Sequence, residues 1–355
     1  MKQLKPKIKN FPSILFANVR SIKNKFDELS NCITNNSCDL NFFVESWLNS
    51  EIENVNVQVC GYNTVRLDRK SDKVGGGIIC YLRKDFNFCI IPFDNPNNFE
   101  IIALYFNSTS HLFIVVYHPY WHENHIHDAA IDTFCEIIHN TQTKYPSHSL
   151  SINILGDFNG LMNVMKNFCD TLNLKNCVDF PTRGTSIIDG CFTNTKTTIT
   201  TTKLSPIGSS DHCTIKIVPS LKFKKQNVSF KFVPDYSPSN KNKFNDLMLQ
   251  TNFNICQEIH NGVDLNLEYD IFIGKLESIY KISFPMKKIK VQKNDLPWIN
   301  NSIKICMKKR DNFYKRSNIP LFKHYRNKVK LMIKEAKSRY IKNIEKLSKK
   351  TMCVK

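Results

Sequence analysis

No run of about 18 or more uncharged apolar residues occurs in the chain, so no segment is a candidate for a membrane span. The basic N-terminus MKQLKPKIKNFPS leads into neither an apolar segment nor a small-residue cleavage site, so no secretory signal is read there. The 13 cysteines are odd in number and include no CxxC pair. That usage points to reduced, intracellular thiols and away from a disulfide framework or a zinc ribbon. There is no internal repeat. The run VGGGII (74–79) lacks the Lys-Ser/Thr of a phosphate-cradling loop and reads as a strand entry. The histidines of YHPYWHENHIHDA have no second ligand pair at the spacing zinc uses, so that stretch reads as a solvated loop.

Charge, in contrast, is abundant and uneven. Residues 1–220 hold 20 basic and 20 acidic side chains, whereas 221–355 hold 30 basic against 11 acidic. The whole formal net charge of +19 therefore sits in the C-terminal part. A neutral domain followed by a cationic one suggests a polyanionic partner. At 355 residues, 41% of them hydrophobic, the chain is long enough for one large domain with an extension, or for two domains.

Hydrophobic periodicity divides residues 1–220 into many strands and few helices. SILFANVRS (13–21), LNFFVESWL, GGGIICYLR (75–83), FNFCII, FEIIALYF (99–106), HLFIVVYHP (111–119), INILGD and DHCTIKIVP read as strands. Ile22, Phe26, Leu29 and Ile33 share a helical face after a Ser21 cap, and a second helix is expected from Asp128 to His139. FPTRGTSIIDGCFT reads as a loop. This pattern predicts two packed sheets flanked by helices. After Pro219, the polar LKFKKQNVSFKFVPDYSPSNKNK reads as a linker. DLPWINNSIKICMKKRDNFYKR then starts a helix from an Asp295 cap with Pro297 in the first turn. Phe322, Tyr325, Val329, Ile333, Ala336, Tyr340, Ile344 and Leu347 form an apolar stripe opposite Lys and Arg, which predicts a helical hairpin or long basic helices. The expected division is a two-sheet domain at 1–220, a linker with partial helix at 221–295 and a basic helical connector at 296–355.

Polar residues end the apolar strands: Asn18, Glu45, Tyr117, Asp157 with Asn159, and Asp211 with His212. In INILGDFNG (152–160) the carboxylate and the carboxamide are two residues apart, so an extended backbone aims both at one small volume. Alone, that pair reads equally well as a turn closing a strand. Gathered in one cleft, the set offers carboxylates for a hard cation, an imidazole, a phenol and two carboxamides. Magnesium takes one or two carboxylates together with water and phosphate oxygens. Such a site can hydrolyse a phosphodiester without a covalent intermediate.

The motifs FANVRS, VESWL, YHP, LGDFN, PTR…IID and SSDH follow one another over residues 13–219. In that order they resemble the endonuclease/exonuclease/phosphatase family, and look most like the apurinic-type endonuclease domain of non-LTR retrotransposons. PWINNSIKICMKKRDNFYK and YRNKVKLMIKEAKSRY resemble the connector preceding the reverse transcriptase of such elements. The resemblance implies an α/β fold, a four-layered two-sheet sandwich followed by a basic helical extension. It implies that Glu45 binds the divalent ion, Mg2+ or alternatively Mn2+, with Asn18 and Asp211 near it. Asp157 would orient or deprotonate the attacking water, and Asn159 and Tyr117 would hold the phosphate. His212 would donate to a phosphate oxygen, with Asp189 fixing its tautomer. Arg20, Thr182 and Arg183 would line the DNA-binding side. His118 and Tyr120 stand where the family has Arg and Pro, and Gly190 where a larger residue follows the Asp. Those departures touch DNA contacts and local rigidity, not the chemical set.

The activity implied is a magnesium-dependent DNA endonuclease that leaves a 3′-hydroxyl primer, in an intracellular and nuclear setting. DNA is the expected partner, with element RNA reached through the basic helices. Two readings stay open beside it. One is another phosphoesterase of the same fold, such as an abasic-site repair enzyme or a phosphoinositide phosphatase. The other is a non-catalytic nucleic-acid-binding remnant. With no reverse transcriptase after the connector, the chain reads as a fragment, a decayed copy or a truncated gene model of a mobile element.

Overall fold

The structure, a computed structural model, describes residues 11–70, 75–95, 97, 99–119, 125–146, 149–220, 230–253, 265–290 and 296–352. In chain order the first elements are β1 (Ile14–Asn18), α1 (Phe26–Asn36), β2 (Leu40–Val44), β3 (Tyr62–Leu67), β4 (Ile78–Arg83) and β5 (Cys89–Ile90). Next come β6 (Glu100–Phe106), β7 (His111–Tyr117), α2 (His125–Lys144), β8 (Ser151–Asp157), α3 (Met162–Thr171) and β9 (Lys175–Asn176). β10 (Asp189–Thr193), β11 (Ile199–Leu204) and β12 (Thr214–Pro219) complete the strands of two six-stranded sheets. Their orders are β11-β12-β1-β2-β4-β3 and β5-β6-β7-β8-β10-β9.

Each sheet has one parallel pair at its centre, β1 with β2 and β7 with β8, and its other pairs are antiparallel. A parallel pair needs a crossover, and α1 and α2 supply them. The central strands are apolar at nearly every position and buried along their length, as strands covered on both faces must be. Alternation sends neighbouring side chains to different layers. Phe42 and Leu104 join the core between the sheets, while Phe43 packs with Leu29 and Ile33 of α1, and Tyr105 lies in the core shared with Phe134 of α2 and Met165 of α3. The result is the expected four-layered α/β sandwich. No helix of the described residues is long and apolar enough to cross a membrane.

Several local expectations are corrected. The stretch read as a loop contains β10, DGCFT, buried at all five positions. Its Asp and Gly hide the strand signal, and pairing with β8 and β9 overrides local propensity. β3, β11 and α3 were not anticipated either. Ser21 does not cap α1, which begins at Phe26 without a side-chain cap. The histidine stretch is not solvated throughout: α2 starts at His125, and His118 and His127 are buried with their rings 5.1 Å apart. Tyr120 and His122 lie outside the described residues.

The chain divides into two compact units, one comprising residues 1–222 with 294–355 and the other 223–293. The second contains β13 (Phe230–Pro234), α4 (Pro238–Gln250), α5 (Leu265–Ser283) and β14 (Met286–Lys290). β13 and β14 pair antiparallel, and Tyr236, Phe244 and Tyr280 gather around Phe284. The first unit ends in α6 (Asn301–Lys315) and α7 (Ile319–Met352). Asn300 caps α6, its side chain accepting from the Ile303 N–H at 3.0 Å, while Asp295 lies outside the described residues. The hairpin packs Ile303, Cys306 and Met307 against Val329, Ile333 and Ala336, the first half of the expected stripe. It is tied to the sandwich by a buried ion pair between Arg310 and Glu28, by Ser205 donating to Asp311 at 2.7 Å and by Lys337 with Asp27 at 3.0 Å.

Candidate active site

The two parallel pairs set the site. Parallel strands end side by side, and side chains just beyond their carboxyl ends converge. Asn18 lies opposite Val44, so Glu45 follows directly, and Tyr117 lies opposite Asp157 in the other sheet. Asn18 joins the sheets: its Nδ2 donates to Glu45 Oε1 and to Asp157 Oδ2, each at 2.8 Å. Its Oδ1 accepts from the Arg20 N–H at 3.1 Å, which fixes the orientation of the amide. Glu45 Oε1 also accepts from the Tyr117 hydroxyl at 3.0 Å, and Oε2 from Trp47 Nε1 at 3.1 Å. Burial beside Glu45 and Asp157 raises the Tyr117 phenol well above its ordinary value, so it stays a donor.

Asp157 and Asp189 stand directly opposite one another across β8 and β10. Two carboxyl groups in that relation repel when both are ionised, so one of them resists ionisation. Burial first, and the Asp189 charge second, push the Asp157 carboxyl up to about 8. His212 Nδ1 lies 2.8 Å from Asp189 Oδ2, and its Nε2 lies 3.9 Å from Asp157 Oδ2. Burial favours the neutral ring, but the hydrogen bond and charge of Asp189, with Asp157 and Asp211, outweigh it and hold the imidazole above its ordinary value. Asp157 Oδ1 and Asp189 Oδ1 are buried and accept from no group among the described residues.

Backbone strain gathers here. Of nine non-glycine residues at positive φ among the described residues, five flank the cleft: Arg20, Ser21, Glu45, Trp47 and Asn159. Residues held in sparsely populated conformations cost of order 1–3 kcal/mol each and mark places where packing fixes a side chain's aim. Gly156 has a different reason. A Cβ there would sit 2.1 Å from the Val116 carbonyl oxygen, where β7 and β8 approach. Gly156→Ala is therefore expected to destabilise the first unit by about 1–3 kcal/mol, the usual cost of overpacking. Chemical denaturation measures it; an unchanged midpoint would show that β7 has room to move.

Solved structures similar to this chain include the 3′ phosphatase NExo from Neisseria bound to product DNA hairpin, at 15% identity and a TM-score of 0.45, over 59% of this chain and 100% of that one. An AP endonuclease from Archaeoglobus fulgidus matches at 13% identity and 0.45, over 59% and 100%. The endonuclease domain of TRAS1, a telomere-specific non-LTR retrotransposon, matches at 16% and 0.43, over 58% and 97%. The likeness is one of fold. No family model and no curated protein matches the chain.

Around the cleft the expected residues take different places. Arg20 and Arg183 are exposed at its rim and both bind Asp211, at 3.1 and 2.8 Å. Partial burial opposes ionisation of Asp211, but Arg183, His212 and Arg20 hold its carboxyl below the ordinary value. Thr182, expected on the DNA-binding side, is 2% exposed. Its hydroxyl accepts from the Ile188 and Asp189 N–H groups, so it seats Asp189 instead of lining a surface. Asn159 donates its amide to the His118 carbonyl at 2.9 Å. Gly190 is explained by crowding: a Cβ there would lie 3.2 Å from Phe192 and 3.4 Å from Met162 and Phe158.

Sequence reasoning missed Trp47, although it lies inside VESWL and binds Glu45. It also missed Arg69 and Glu100, a buried ion pair beside Tyr117. Glu100 had a signal, a carboxylate opening the apolar strand EIIALYF.

The donor set suits a hard divalent ion. Asp157, Asp189 and His212 bring ligand atoms within 4.8 Å of one another. With Glu45 they place three carboxylates around one imidazole, and two buried oxygens there are unpartnered. A cation would offset that negative excess. Glu45 and the free Asp157 oxygen are the available ligands, whereas Asn18 presents its donor side and Asp211 is engaged by two arginines.

Proposed function

We propose that this chain is a magnesium-dependent phosphodiesterase that nicks DNA and leaves a 3′-hydroxyl, the endonuclease of a non-LTR retrotransposon-like element acting in the nucleus. The observation supporting this is that Asn18, Glu45, Tyr117, Asp157, Asp189 and His212, from six separate places in the chain, meet in one cleft. Hydrogen bonds link them into two sets, Asn18 with Glu45, Tyr117 and Asp157, and Asp189 with His212. A protein that only held nucleic acid would have no use for two buried carboxylates in mutual repulsion. The Arg20 and Arg183 rim and the basic residues 296–355, acting as a connector, would hold the phosphate backbone of DNA or of element RNA.

With Asp189 on Nδ1, His212 keeps Nε2 for a phosphate oxygen on the Asp157 side. The Asp189 hydrogen bond and charge outweigh burial and hold the ring above its ordinary value, which favours the form that donates as negative charge develops. Asp157 takes a proton from the attacking water as general base. The water oxygen attacks phosphorus and the P–O3′ bond breaks. The departing O3′ takes a proton from solvent water, giving a 3′-hydroxyl and a 5′-phosphate. Asn159 steadies the phosphate, while the Tyr117 hydroxyl holds Glu45. Mg2+ held by Glu45 would, when bound, neutralise charge on the phosphate oxygens.

The test is supercoiled plasmid incubated with magnesium or with chelator. Open-circular product that a polymerase can extend is expected only with magnesium. Glu45→Gln should abolish it with an unchanged circular dichroism spectrum, because the amide keeps shape and loses charge. Wild-type nicking by that variant would remove Glu45 from the site. Phosphate release from phosphoinositides, or cleavage confined to abasic oligonucleotides, would select the other phosphoesterase readings.

A further inference from the structure

We infer that Arg69 and Glu100 are a positioning pair for the Glu45 carboxylate, acting through Trp47 and Tyr117; this rests on the metal-dependent reading above. Arg69 Nε donates to Glu100 Oε1, and Glu100 Oε2 accepts the Gly77 N–H. The two side chains are only 7% and 8% exposed. Burying an ion pair costs several kcal/mol per ion in desolvation, so it is poor evidence for stability and better evidence for a specified geometry.

That geometry leads to Glu45 by two routes. The guanidinium carbon of Arg69 lies 5.6 Å from the centre of the Tyr117 ring, and Glu100 stands opposite Tyr117 in the β6–β7 register. On the other side, Gly75, Gly76 and Gly77 take φ of 109°, 69° and 84° and leave bare backbone against which larger groups lie. A Cβ on Gly76 would sit 2.2 Å from Arg69 Nη2, and one on Gly75 3.5 Å from Trp47 Nε1. The Gly76 and Gly77 carbonyls accept from the N–H groups of Trp47 and Ser46, the residues directly after Glu45. Two of the three donors holding Glu45, the Tyr117 hydroxyl and the Trp47 indole, are thus seated on Arg69 and the glycines packed around it. Gly76 leaves the space that the Arg69 guanidinium occupies.

The experiment uses the full chain and compares wild type with Arg69→Met, Arg69→Lys and Gly76→Ala. Calorimetric titration with MgCl2 and MnCl2 reads ion affinity directly. Plasmid nicking against magnesium concentration separates ion requirement from maximal rate, and thermal unfolding monitors the fold. Arg69→Met and Gly76→Ala should weaken ion binding about 10-fold or more, the range for removing a group that orients a ligand. Most of the nicking rate should return at saturating magnesium. Arg69→Lys keeps the charge opposite Glu100 and should recover part of the affinity.

Should Arg69→Met fail to fold, Arg69→Met with Glu100→Gln removes both charges and should fold with the same weakened affinity. Folded variants with unchanged ion affinity would overturn the inference. So would a lost maximal rate at unchanged affinity, which would make Arg69 a substrate contact. Wild-type protein that neither binds ions nor nicks DNA would defeat the functional reading and the pair's role together. Wild type that does both, matched by its variants, would defeat the pair's role alone.

Discussion

His212→Ala is expected to slow nicking by about 10²–10⁴-fold, the span that a positioned proton donor contributes. Asp189→Asn should also slow it severely, because the amide no longer holds the imidazole as a charged acceptor does. The double variant should cost little beyond His212→Ala. The hydrogen bond between them at 2.8 Å is expected to make Asp189 act mainly through His212, and residues acting as one unit are non-additive. Multiplying losses in the double variant would separate the two residues.

The same pair carries a signed pH expectation. In the proposed mechanism activity requires His212 protonated and Asp157 unprotonated, so it is expected to rise as Asp157 ionises and fall as His212 loses its proton. The Asp189 charge raises both groups. Asp189→Asn removes that contribution, so His212 gives up its proton at lower pH and Asp157 ionises at lower pH. Both limbs of the pH–rate profile should move toward acid. A profile that shrinks in height without moving would show that Asp189 does not set the electrostatics of the cleft.

The second large effect concerns stability. Arg310→Met should destabilise the first unit by about 3–5 kcal/mol, the cost of leaving a buried partner unpaired. Glu28 would keep the Gly208 N–H, 3.2 Å from Oε1, and the charge of Lys25. Chemical denaturation measures the loss, with Glu28→Gln plus Arg310→Met as the control that removes both charges and should recover much of it. A change below about 1 kcal/mol would mean that solvent reaches Glu28 and that α6 is an accessory to the sandwich. The size of this loss bears directly on truncation. A chain cut before residue 294 would lose Arg310, Asp311 and Lys337 and should be less stable, even though every motif residue of the cleft lies before Pro219.

Much of this protein was legible in its sequence. The central strands announced themselves because they are buried on both faces, so their residues are apolar without interruption and break abruptly into Asn18, Glu45, Tyr117 and Asp157. A polar residue ending such a strand must find a partner, which made those positions stand out before any contact was known. The amphipathic stripe of α7 was equally plain, since its packing partner is a neighbouring helix and its period is local.

What the linear pattern could not carry is which partner each group takes. DGCFT looks like a loop and becomes a buried strand because β8 and β9 pair with it. Thr182 looks like a surface residue and becomes the acceptor that seats Asp189. Arg69 and Glu100 are 31 residues apart, and Arg310 and Glu28 are 282 apart. Both pairs exist only because the sheets and the final helices bring them together. By itself the sequence determined the buried strands, the chemical types at their ends and the cationic tail, because burial and periodicity act residue by residue. Tertiary structure decided that Asn18 bridges the sheets, that Asp189 rests on His212 and that α6 locks onto α1, because hydrogen bonds and buried charges are satisfied only by groups the fold delivers.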